Sequence, residues 1–444
     1  TSVRGIHLNR RIFLVGSSLS VPAIGLAATT PLPLRQAARR MMIYGLPLIE
    51  IAQVRRRAFE AGQRANAFRH ARALATPKQR TVTQPNVDTL YSTAWLDLSQ
   101  GPVTVTLPPT GDRYFSLALM DAYTNNFVLL GTRTMGGDGG VVTIVGPNGA
   151  GPKGAIRAPT DWVWALGRTL VDGPRDMAAA HAVQDGLKLE GPAGREPLAY
   201  PARSAPWPEL FAGLQALIEE SPPPATDLKV FHETSALGLT PAGTFDPSRF
   251  DAAQGREIEA GIAEALAFAK GAADAGERRG GWAFPRQDLG DFRQDYDYRA
   301  QVALSGLAAM PLEEAVYMRA LNAQGHDEID SRVAWRLRFP AGQTPPVDAF
   351  WSLTAYEITP EGQGFLVDNP IDRYAIGDRT PGLVRGRDGA LEILIAPKDP
   401  GPAHRANWLP APSSGRPMVL SLRAYLPRPE LATGIYRVPD VVRA

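Results

Sequence analysis

The chain has 444 residues, more than one ordinary core accommodates, with 44% hydrophobic and 21% charged residues, so two or three globular domains are expected. A formal charge of +2, with no basic run interleaved with aromatics, argues against nucleic acid as a partner. Cysteine is absent, which excludes disulfides, thiolate metal sites and cysteine nucleophiles, while 43 Gly and 40 Pro favour turns and short strands.

At the N-terminus, Arg10-Arg11 precede an apolar stretch from Ile12 to Ala27, with small residues Gly25 and Ala27 and then Pro31. This pattern is that of a twin-arginine-type signal over residues 1–28, too short and too interrupted by Ser and Pro for a stable span. It predicts a soluble protein in the periplasm or outside the cell. Residues 33–73 carry helical spacing at Leu34, Ala37, Met41, Tyr44, Leu48 and Ala52, and Pro47 is expected to kink or split that helix.

From about residue 80 the language changes to strands and turns: Val103–Leu107, Tyr114–Met120, Val141–Val145 and Trp162–Leu170. A Pro-rich stretch from Tyr200 to Pro208 reads as a linker. Helical periodicity returns over 208–219 and 251–273, and a shorter helix is expected from Tyr298 to Leu307. Strands then resume at Val333–Phe339, Asp348–Glu357, Leu391–Ile395 and Val419–Leu426. The order predicts an α+β, mainly β protein. Residues 32–200 form a first sandwich with an N-terminal helix, 201–309 a helical middle, and 310–444 a second sandwich.

The two β regions echo one another. Tyr114–Asp121 reads YFSLALMD and Phe350–Glu357 reads FWSLTAYE, each two aromatics, Ser-Leu and a final carboxylate. Trp95 and Trp335 precede them in earlier strand-like runs. Either convergent packing or an old duplication produces such an echo.

The ordered motifs Tyr44–Glu50 (YGLPLIE), Asn86–Ser92 (NVDTLYS), Asp121–Asn125 (DAYTN) and Leu166–Pro174 (LGRTLVDGP) resemble the domain of unknown function 1254. Glu313–Tyr317 (EEAVY), Pro345–Ser352 (PPVDAFWS), Asn369-Pro370, Asp372–Tyr374 (DRY), Gly377–Arg379 (GDR), Asn407–Pro410 (NWLP) and Arg423–Tyr425 (RAY) resemble the domain of unknown function 1214. The resemblance covers almost the whole chain beyond the signal. It implies two jelly-roll-like sandwiches with helices between and around them, and no settled activity.

Candidate chemistry clusters at predicted strand ends. Asn86, Asp88 and Tyr91 place amide, carboxylate and phenol within six residues, either as a ligand-binding edge or as an Asx turn that starts the strand. Asp121, Tyr123 and Asn125 form a second polar loop, and Glu357 is the echo of Asp121. Asp88, Asp121 and Glu357 are the candidate acid/base carboxylates, with Asn86, Tyr91, Tyr123, Asn125 and Arg168 as candidate substrate-binding residues. Arg168 in a predicted strand demands a carboxylate partner, from the protein or from a ligand. Arg373, Asp378 and Arg379 read as loop-bracing ion pairs. No cofactor or metal is expected: His7, His70, His181, His232, His326 and His404 have no metal-ligand spacing, and the cluster around His326 reads as a loop. Gly146–Gly154 lacks the Lys-Ser/Thr ending of a phosphate loop. Two functions follow: binding, or metal-independent cleavage, of a glycan or small polar substrate outside the cytoplasm, or a non-catalytic envelope role through homo-oligomerisation or partner binding.

Overall fold

The computed structural model describes residues 30–271, 276–320 and 328–444. The predicted signal at 1–28 and the His326 cluster's histidine lie outside them. Among the described residues no helix is long and apolar enough to cross a membrane.

Two β-sandwiches account for most strands. In the first, a five-stranded antiparallel sheet runs Arg69–His70, Thr89–Asp97, Trp162–Leu170, Phe115–Met120, Asn126–Gly131 in spatial order. It faces a four-stranded sheet ordered Ile156–Arg157, Gly140–Val145, Val103–Leu107, Lys188–Glu190. Val103–Leu107 alternates buried and half-buried residues, as a strand with one core face must, and Val103, Val105, Leu96, Leu117 and Val163 meet between the sheets.

The second sandwich repeats this topology. Its larger sheet places Trp282–Phe284, Ala315–Ala320, Pro417–Pro427 and Val347–Ile358 side by side, with Ala375–Gly377 pairing the last. Its smaller sheet runs Trp408–Pro410, Leu391–Ala396, Trp335–Phe339, Val442–Arg443. Even the single parallel pairing recurs, Gly140–Val145 with Ile156–Arg157 and Leu391–Ala396 with Trp408–Pro410. Register makes the repeat residue-specific. Tyr91, Arg168, Ser116 and Gly131 form one row across the first sheet, and Tyr317, Arg423, Ser352 and Gly377 form the same row across the second. Both row-ending glycines are forced: a Cβ on Gly131 would lie 2.2 Å from the Phe115 carbonyl oxygen, and one on Gly377 would lie 2.1 Å from that of Trp351. Such agreement in topology, register and steric detail identifies a duplication rather than convergent packing. The tryptophan part of the echo is corrected. Trp95 lies in the larger sheet of its half and Trp335 in the smaller sheet of the other, so they are not equivalent.

The expected first helix is Leu34–Glu60, shorter than predicted and continuous through buried Pro47. Neighbouring helices hold it there in spite of the missing backbone donor. It packs with Trp207–Glu220, Ala252–Gly271 and Tyr296–Ser305 into one helical layer, in which Met41, Tyr44, Leu48, Leu214, Ile258 and Tyr296 share a core. The Pro-rich linker ends where Pro206 and Pro208 start a helix, a position that needs no backbone donor.

The halves are joined by reciprocal ion pairs. Arg133 of the first half donates to Glu314 of the second at 2.7 Å, and Arg379 of the second donates to Asp88 of the first at 2.8 Å. Asp88 and Glu314 are themselves register-equivalent, three residues before Tyr91 and Tyr317, and both are buried. Between the two pairs, Tyr114 packs against Phe350 and Tyr425, with Phe350 and Tyr425 stacked at 4.3 Å. Arg133→Ala or Arg379→Ala strips a buried carboxylate of its counter-charge, so each is expected to lose on the order of 3 kcal/mol in urea unfolding. Arg338→Ala, at an exposed pair with Asp388, should stay within about 0.5 kcal/mol. Equal losses in all three variants would show that the crossed pairs do not hold the halves together.

Candidate functional site

A cavity of about 590 Å³ opens between the two larger sheets and the helical layer. Its floor comes from both sandwiches: Tyr91, Leu166 and Arg168 from the first, Tyr317, Ser421 and Arg423 from the second. These are three register-equivalent pairs, so the cavity straddles the relation between the halves. Its walls come from the segments that lead into the first strand of each row, within 71–86 and 298–309, together with Phe284, Pro285 and Leu289. Each leading segment crosses onto the opposite half. The Gln84 carbonyl accepts from Arg423 at 2.9 Å, and the Ala308 carbonyl accepts from Arg168 at 2.9 Å. Gln84 and Ala308 both have left-handed backbone, φ 47° and 69°, unusual for residues with a Cβ and a sign that the crossings are held by their surroundings.

Apolar surface predominates in the lining, with polar side chains set into it from both halves. Its charged members are Arg168, Arg319 and Arg423, and among the described lining residues there is no Asp or Glu. Arg168 is the informative one. It is 5% exposed, stacks on the Tyr91 ring and donates from Nη2 to the Ala308 carbonyl, while its Nε and Nη1 are buried without partners among the described residues. Among the described residues no carboxylate forms an ion pair with it, so the counter-charge that a buried arginine ordinarily requires is not supplied by them. Tyr317 stands beside it, its hydroxyl pKa pushed up to about 12 by burial, and remains a neutral donor at ordinary pH.

The structure brings some of the sequence candidates here and separates others. Asn86, Tyr91 and Arg168 line the cavity. Asn86 does both things its sequence allowed: its Oδ1 accepts the Asp88 backbone N–H at 2.7 Å, closing an Asx turn, and its Nδ2 donates to the Tyr425 hydroxyl at 2.7 Å. Asp88 faces away, onto the Ser352 hydroxyl at 2.6 Å and Arg379, in a second recess. Asp121 accepts the backbone N–H groups of Tyr123 and Asn125, both at 2.9 Å, in a turn built on left-handed Thr124. The Tyr123 hydroxyl donates to the Ser221 carbonyl, and Asn125 accepts from Phe292 N. Glu357 pairs with Arg416 at 2.7 Å. Asp88, Asp121 and Glu357 therefore occupy three separate hydrogen-bonded settings, and none borders the cavity.

Other expectations resolve in detail. Arg379 braces a loop through Asp88, whereas Arg373 donates to the carbonyls of Arg405, Ala406 and Trp408 instead of making an ion pair. The glycine-rich 146–154 turn points its carbonyls at Arg157, the reverse of a phosphate cradle. Among the described residues no group of His, Asp or Glu is placed to hold a metal ion. Sequence reasoning missed Tyr317 and Arg423 as site residues. The signal was present in the echo, because aligning Ser116 with Ser352 places Arg423 where Arg168 stands.

Two sandwiches of one topology, crossed over a shared cavity, define a tandem-repeat architecture. Residues 65–191 match the protein of unknown function family DUF1254, and residues 314–429 match the protein of unknown function family DUF1214. The chain therefore carries these two domains in tandem, and each match coincides with one sandwich. Among solved structures, the VPA0106 protein from Vibrio parahaemolyticus is similar over 93% of this chain and 100% of its own, at 23% identity and a TM-score of 0.70, which shows the shared fold. An uncharacterized protein from Burkholderia cenocepacia aligns over 92% of this chain and 93% of its own at 15% identity, with a TM-score of 0.45. No curated protein matches the sequence.

Asp121 supplies a pH test. Burial raises its pKa to about 6, although Asn125 and the Tyr123 N–H pull the other way. An acid whose folded pKa is raised adds stability below its unfolded pKa and loses that contribution as pH rises through the folded value. The melting temperature of the wild type relative to Asp121→Asn should accordingly be higher at pH 4.5 than at pH 7. A difference that does not change with pH would contradict the assignment.

Proposed function

We propose that this protein binds an anionic small molecule with an apolar body, a carboxylate in the simplest case, in the cavity between its two sandwiches. The observation that carries this reading is Arg168, a buried guanidinium without a counter-ion among the described residues, in a cavity whose described lining has no acid. A guanidinium does not lose its proton at any ordinary pH, so its charge must be met by something. Leu166, Trp164, Phe284, Leu289 and Val302 give the ligand's body an apolar seat, and Tyr91 offers a phenol and a ring face. Support for binding exceeds that for cleavage, because Asp88, Asp121 and Glu357 are each engaged elsewhere and the cavity has no described pair of carboxyls for glycoside chemistry. The twin-arginine-type leader would place this activity outside the cytoplasm.

Two measurements on Arg168→Met test the reading. A structural arginine would be missed, but an uncompensated one is a burden in the empty protein. The ligand-free variant is therefore expected to melt at or above the wild-type temperature. In a thermal-shift titration with octanoate and phenylacetate, the wild type should gain about 2.7 kcal/mol of stability at a hundredfold excess over Kd, several degrees in Tm, and the variant should gain none. A destabilised variant that responds to these acids as the wild type does would refute the proposal.

A further inference from the structure

Resting on that reading, we propose that the site is built for a two-headed anion: a molecule with two acidic groups, one held by Arg168 and the other by Arg423. The two arginines are the same residue of the duplicated fold, opposite Tyr91 and Ser116 in one sheet and opposite Tyr317 and Ser352 in the other. Both line the one cavity and both are 5% exposed. Each is steadied in the same way, by a single terminal nitrogen on a main-chain carbonyl of the opposite half's leading segment, Ala308 for Arg168 and Gln84 for Arg423. That bond fixes a direction without neutralising a charge.

Arg423 has further partners in the Thr354 hydroxyl at 3.2 Å and in Tyr356, whose ring it lies over, and both are uncharged. Asp88 influences Arg423 electrostatically but is not in ion-pair contact with it, and its carboxylate is already taken by Arg379 and Ser352. Two buried guanidiniums therefore face one cavity, neither in ion-pair contact with a described acid. Burying a single charge is costly unless it is paired, and burying two around one cavity adds mutual repulsion. A monoanion leaves one of them uncompensated, whereas a dianion meets both. The repeat supplies the geometry, since each of two like rows, one from each larger sheet, brings one guanidinium to the cavity. The halves are not identical: Leu166 in the first corresponds to Ser421 in the second, so the two ends are read against different backgrounds and the ligand has a preferred orientation.

The test is calorimetric titration of the purified protein with straight-chain α,ω-dicarboxylates from butanedioate to decanedioate and with the monocarboxylates of matching length. The expected result is that at least one diacid binds ten or more times more tightly than its monoacid, that Arg423→Met reduces that diacid to the monoacid's affinity, and that Arg168→Met loses the monoacid and weakens the diacid at least tenfold. Arg423 also braces Thr354 and Gln84, so its variant is checked first for a wild-type melting curve. If it fails that check, the wild-type comparison of diacid with monoacid decides alone. Equal affinities at every length, with binding still lost in Arg168→Met, would overturn the two-headed ligand and leave the anion site standing. Binding of neither series would remove both.

Discussion

Asp88 and Glu314 sit at the same place in the two copies of one fold, each nearly closed to water, and each is neutralised by an arginine that belongs to the other copy. A buried carboxylate without its counter-ion is among the most destabilising arrangements a protein can hold. The two halves consequently cannot separate without exposing or stranding both charges. Tyr114, Phe350 and Tyr425 fill the space between these pairs with stacked and edge-on rings, so charge and apolar burial reinforce the same contact.

That contact is what makes a cavity possible. Because each leading segment crosses to the opposite sheet, the floor of one half is roofed in part by the other, and Arg168 and Arg423 come to face a common space. Asp88 and Glu314, each met by an arginine, lie outside this space, while Arg168 and Arg423, neither in a described ion pair, lie within it. Asymmetry has entered since the duplication. The first leading segment, 71–86, is irregular, with turns and bends but no helix, whereas the corresponding stretch before the second row includes the helix Tyr296–Ser305, which ties the cavity to the helical layer.

Much of the fold was legible in the sequence. Alternating runs such as Val103–Leu107 and the apolar stripe through Ile258, Ile262 and Ala265 mark their elements to within a few residues, since burial on one face imposes the period directly. The short edge strands, Arg69–His70 and Lys188–Glu190, were not legible, because two or three residues carry no period and are defined by their neighbours. Pro47 misled for the opposite reason: the local rule held, but the surrounding helices outweighed it. At the site, Asn86, Tyr91 and Arg168, three of the five residues read as substrate-binding, line one cavity, whereas Tyr123 and Asn125 do not. The carboxylates were not separable from turn and brace residues, because an Asp that closes an Asx turn has the same local sequence whether or not it faces a cavity. The missing counter-ion of Arg168 is a fact about what is distant in the chain and absent in space, and local sequence does not encode it.

The crossed pairs also set a schedule for assembly. Asp88 receives Ser352 and Arg379 from 264 and 291 positions further along the chain. At roughly 5–20 residues per second, synthesis of that interval occupies on the order of 15–60 s. Throughout it, the first sandwich can close its own two sheets but must keep a solvated carboxylate and an uncovered aromatic face at Tyr114. Its completion waits until the second half has been made, and the nascent N-terminal half is the species that a holding chaperone would meet.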